Sequence, residues 1–69
     1  MQVRDRSELQ RRADCLVGCG EALCRQQAAL IASWRALGHE TEAAEALLVR
    51  LELSLTRMQL YRAHLEADA

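Results

Sequence analysis

The sequence predicts an all-α fold, an antiparallel two-helix hairpin dimerising into a four-helix bundle, and three observations predict it. Of 69 residues, 51% are hydrophobic but only 3% aromatic, with no Pro and no Phe, so the apolar mass is Leu and Ala rather than the mixture of strands. Leu9, Leu16, Leu23, Leu30 and Leu37 recur every seventh residue, the period of one helical face. One short interruption, Leu37-Gly38-His39-Glu40-Thr41, separates two such patterns.

The first helix is expected over about residues 6–37. Two capping pairs suit its start, Asp5 with Glu8 or Ser7 with Gln10, and the sequence does not choose between them. Ala13, Gly20, Gln27 and Trp34 fall between the leucines in steps of four and three, and Val17, Cys24 and Ile31 widen the face on one side. The leucines and these intervening residues together are the predicted heptad seam. Gly18 and Gly20 each cost a helix interior about 1 kcal/mol relative to Ala, enough to permit a break. A continuous helix is nevertheless expected, because the leucine phase is the same on both sides and Glu8–Arg12 and Glu21–Arg25 supply i,i+4 pairs.

The interruption carries residue types suited to both helix ends. Gly38 fits the left-handed position past a C-terminus, Arg35 places positive charge in the last turn, and Thr41 can cap the next helix with its hydroxyl. Glu42 and Glu45 then favour the positive end of the second dipole. So short a connection makes the helices antiparallel.

The second helix is expected over about residues 42–66. Ala44, Leu48, Leu51, Leu55, Met58 and Leu65 form the face toward the first helix, interrupted by Arg62 and flanked by Leu47 and Tyr61. Val49, Leu53, Thr56, Leu60 and Ala63 make another four-three stripe on roughly the opposite side, continuing to Ala67. One hairpin cannot cover both sides, and at about 25 cal/mol per Å² an uncovered Leu and Val row forfeits several kcal/mol. The second stripe is therefore the expected protein interface, and a homodimer the expected assembly. Residues 1–69 make a single domain, with residues 1–6 expected to be disordered.

Charge and cysteine content narrow the function classes. Net charge is -1, the isoelectric point is near 6.1, and all nine basic residues are Arg, which suggests a GC-rich bacterial genome. Arg4, Arg6, Arg11 and Arg12 make an Arg-rich start that could contact nucleic acid, but Asp5, Glu8 and Asp14 interleave and stacking aromatics are missing. No run approaches the roughly 20 apolar residues of a bilayer span, so a cytoplasmic protein without a membrane role is expected. Three cysteines within ten residues make a poor disulfide framework.

Candidate chemistry is sparse. Cys15 and Cys19 share a helical face, Cys24 points about 140° from Cys19, and a symmetric hairpin would bring His64 beside Cys15. Cys15, Cys19 and His64 are thus weak metal or thiol-sensor candidates, one ligand short. The bland reading makes the cysteines small apolar fillers and tolerated surface thiols. His39 in the turn is expected to close the helix end, Trp34 to plug the closed end against Ala44, Leu47 and Leu48, and Gln27 to specify register. No phosphate loop, nucleophile set or paired carboxylates point to catalysis, so no enzyme and no cofactor are expected.

Arg25-Gln26-x-x-x-Leu30-Ile31, Gly38-His39-Glu40-Thr41-x-x-Ala44-x-x-Leu47-Leu48 and Leu51-Glu52-x-Ser54-Leu55 together resemble a group of short uncharacterised proteins common in alphaproteobacteria such as rhizobia. The resemblance spans roughly residues 20 to 58, and its most specific part is the Gly-His-acidic-Thr turn. It implies a helical hairpin and carries no activity with it. Cysteines at 15, 19 and 24 depart from the group, where polar, His or small residues are more usual. The functional expectation is a small, non-enzymatic, oligomerising helical interaction module.

Overall fold

A computed structural model describes residues 6–67, which form helix α1 (Arg6–Ala36) and helix α2 (Glu42–Ala67) packed along their length. Extents are 56 × 19 × 14 Å. The radius of gyration, 16.2 Å, exceeds the about 11 Å of a compact chain this long. α1 runs unbroken through Gly18 and Gly20, as the leucine phase predicts. The expected disorder of residues 1–6 falls outside the described residues except at Arg6, which begins α1. Asp5 also lies outside them, and Ser7 is already inside the first turn.

The turn forms as its residue types dictate. Gly38 has φ +81°, a conformation that clashes for a residue carrying Cβ. The Gly38 N–H donates to the Arg35 carbonyl at 3.0 Å and the His39 N–H to the Trp34 carbonyl at 3.0 Å, the two bonds of a Schellman closure. His39 closes the helix through its backbone. Across the turn the Glu45 N–H donates to the Thr41 carbonyl at 2.8 Å, opening α2. The Thr41 hydroxyl was expected to accept from an N–H, but it donates to the Glu45 carboxylate, which also receives the Arg35 guanidinium at 3.1 Å. The end of α1 is thereby tied to the start of α2.

Packing follows the smaller side chains. Ala13, Val17 and Ile31 are buried, Gly20 is enclosed, and Gln10, Cys24 and Gln27 are half-buried against α2. On α2 the facing line is Thr41, Ala44, Leu48, Leu51, Leu55, Met58, Arg62 and Leu65, the face the sequence predicts. On α1 the expected seam is met in part: its Ala13, Gly20 and Gln27, with Val17, Cys24 and Ile31 beside them, face α2, but its leucines do not. The leucine row lies along one edge of the contact, with Leu16, Leu23, Leu30 and Leu37 exposed. The physical reason is close approach: Ala13 and Gly20 let α2 settle beside them, and a Cβ added at Gly20 would meet Leu55 Cδ1 at 3.1 Å and Met58 Sδ at 3.4 Å.

Polar groups fix the register. Gln27 Nε2 donates to the Ala44 carbonyl at 2.9 Å, using a lone pair that the helix ladder leaves over. Arg62 reaches Asp14 at 3.7 Å and Gln10 reaches Glu66 at 3.3 Å. Together with Arg35–Glu45 at 3.1 Å these contacts mark one polar side of the hairpin. Trp34 stays 39% exposed, less enclosed than the expected plug.

Candidate interaction surface

Because the helices are antiparallel and the ion pairs occupy one side of their contact, the residues flanking the opposite side share a single open surface. On α1 these are the leucines. On α2 they are Leu47, Ser54 and Tyr61, and all three are exposed. The register set by Asp14–Arg62 and Gly20–Leu55 puts Leu16 level with Tyr61, Leu23 with Ser54 and Leu30 with Leu47. Leu23 is 50% exposed and Leu37 73%. Six large apolar side chains therefore sit together in water, far from the scattered surface leucine that needs no account.

The rim of this surface is Arg12 on α1 and Arg50, Arg57 and His64 on α2, while Glu45, Glu52 and Glu66 lie around the far side of α2. Total exposure is 5426 Å². A compact chain of 7.8 kDa exposes about 4,400 Å², so this elongated pair of helices carries a high surface for its mass.

The stripe expected to be the interface, Val49, Leu53, Thr56, Leu60 and Ala63, lies on α2 away from α1, and every member is exposed. Thr56 turns its hydroxyl inward along the helix, donating to the Glu52 carbonyl at 3.0 Å. The Arg50, Arg57 and His64 row separates this stripe from the leucine side. Sequence periodicity found the apolar rows on α1 and α2 but placed the leucines inside the seam, whereas they flank it and stay exposed. The signal that could have placed them was the smallness of Ala13, Gly20 and Ala44, which marks where backbones approach.

Candidate chemical groups are dispersed. Cys15 and Cys19 are exposed and Cys24 half-buried beside α2. Among the described residues no three His, Cys, Asp or Glu side chains are grouped to hold a metal ion, so Cys15, Cys19 and His64 are not brought together as a site. Of the Arg-rich start, Arg4 lies outside the described residues, Arg11 is exposed, and Arg12 pairs with Glu8 at 3.8 Å. Glu45 has its pKa lowered, first by the Thr41 hydroxyl bond and then by the bond from Arg35. No helix among the described residues is long and apolar enough to cross a membrane. No protein-family model, curated protein or solved structure matches the chain.

Proposed function

We propose that the chain is a small cytoplasmic helical interaction module that works by associating rather than by catalysis. The observation that carries this reading is the open leucine side: once α1 and α2 have packed, Leu16, Leu23, Leu30, Leu37, Leu47 and Tyr61 remain exposed together. At about 25 cal/mol per Å² of apolar area, covering them stabilises a hairpin whose own core is a thin line of Ala, Val, Ile and half-covered Leu. The outer stripe of Val49, Leu53, Thr56, Leu60 and Ala63 is the alternative contact on the same reading.

A thiol or metal sensor built on Cys15, Cys19 and His64 has less support, since those side chains form no group. A nucleic-acid regulator has little more, since Arg12 already faces Glu8. Association is tested by the unfolding midpoint as a function of protein concentration. A self-associating module melts at higher temperature as concentration rises, because assembly is linked to folding. A midpoint constant over a hundredfold range, without added partner, would refute self-association.

A further inference from the structure

We infer that the leucine side is closed by the same side of a second copy, with α1 antiparallel on the partner's α1, α2 on the partner's α2, and the two-fold axis passing beside Leu23 and Ser54. This rests on the associating reading above and adds the occupant and its orientation. The six large apolar side chains of this side are exposed by 40% at Leu30 to 73% at Leu37, a face on the scale of the about 800 Å² that each member of a stable pair buries.

Five leucines seven residues apart, centred on Leu23, read the same in both directions, which an antiparallel self-pairing requires. Leu9 then meets the partner's Leu37, Leu16 meets the partner's Leu30, and Leu23 meets its own copy. Even Leu37, the most exposed of the row at 73%, gains an apolar neighbour. An unrelated partner would have to reproduce that spacing, whereas a second copy supplies it automatically.

The other two-fold pairing, α1 on the partner's α2, distributes the same side chains less well. It places both Tyr61 rings in one layer with both Leu16 side chains, and leaves Leu37 facing the turn at Glu40. In the inferred pairing each outer layer holds Leu16, Leu30, Leu47 and Tyr61, and the central layer holds two Leu23 and two small Ser54, so volumes are even along the bundle. Its electrostatic cost is the approach of Arg50 to the partner's Arg57. Both are exposed rim residues, screened by salt over about 8–10 Å.

Disulfide trapping tests this in a background of Cys15→Ser, Cys19→Ser and Cys24→Ala. Ser54→Cys, which swaps one oxygen for sulfur at an exposed position, should oxidise to a covalent species of twice 7.8 kDa for most of the protein. Leu16→Cys/Leu30→Cys should do the same and Leu16→Cys alone should not. The two sites lie roughly 21 Å apart on one helix, too far for a link within the chain. A protein that light scattering finds dimeric but whose Ser54→Cys form stays unlinked overturns the orientation and leaves association standing. A wild-type monomer with a concentration-independent midpoint overturns the second copy and self-association together. Should the double variant lose its helicity, Ser54→Cys decides alone.

Discussion

Two glycines one residue apart in number from Cys19 differ sharply in surroundings, and substituting each measures where α2 presses on α1. At Gly18 an added Cβ meets nothing within 4 Å. Gly18→Ala therefore gains the helix propensity alone, about 1 kcal/mol, raising the melting temperature by about 4–8 °C for a domain this size. At Gly20 the same methyl would sit 3.1 Å from Leu55 Cδ1, and that leucine tip must yield a few tenths of an ångström. Gly20→Ala should gain less than Gly18→Ala. Gly20→Leu forces a whole side chain into the contact, and overpacking of that kind costs about 1–3 kcal/mol. Thermal melts followed by circular dichroism at one fixed protein concentration read all three. If Gly20→Leu melts as high as Gly18→Ala, α2 does not lie against Gly20 and the packing line is wrong.

Gly38→Ala should destabilise by about 1–2 kcal/mol, because φ of +81° is strained for any L side chain; Gly38→Asn should cost less, and equal stability of all three in denaturant titration would contradict the Schellman turn. Glu45 should titrate below its ordinary value of 4.5, through the Thr41 hydroxyl and then Arg35. A depressed carboxylate contributes stability that is fully present above the unfolded pKa, so this contribution is complete above about pH 4.5 and fades as pH falls from there through the lower folded pKa. Thr41→Val should move the Glu45 midpoint upward in an NMR titration, and an unmoved midpoint would remove the hydroxyl from the account.

The hairpin was legible because its turn uses residues with narrow roles. Only Gly38 tolerates the left-handed step, and Thr41 followed by Glu42 and Glu45 starts a helix from either direction of reading. The facing line of α2 was legible too, since Ala44, Leu48, Leu51, Leu55, Met58 and Leu65 form one stripe broken only by Arg62. The rotation of α1 was not. Its apolar arc is wide, running from the Leu16 row through Ala13 and Gly20 to Val17 and Ile31, and periodicity along one helix does not say which part of such an arc faces the neighbour. Backbone approach decides it, and the small residues won over the larger leucines. Gln27 behaved as its core position suggested, tying α1 to the Ala44 carbonyl. Cys15, Cys19 and His64 shared a sequence rationale but no geometry, because helical rows facing outward on two helices do not converge.

Solution mass by light scattering, with and without reductant, on wild type, Leu23→Glu and Leu53→Glu tests the central claim most directly. Twice 7.8 kDa is expected for wild type in either redox state, the same for Leu53→Glu, and a monomer or unfolded chain for Leu23→Glu. A well-folded wild-type monomer, or a dimer that survives Leu23→Glu and is lost in Leu53→Glu, would contradict it.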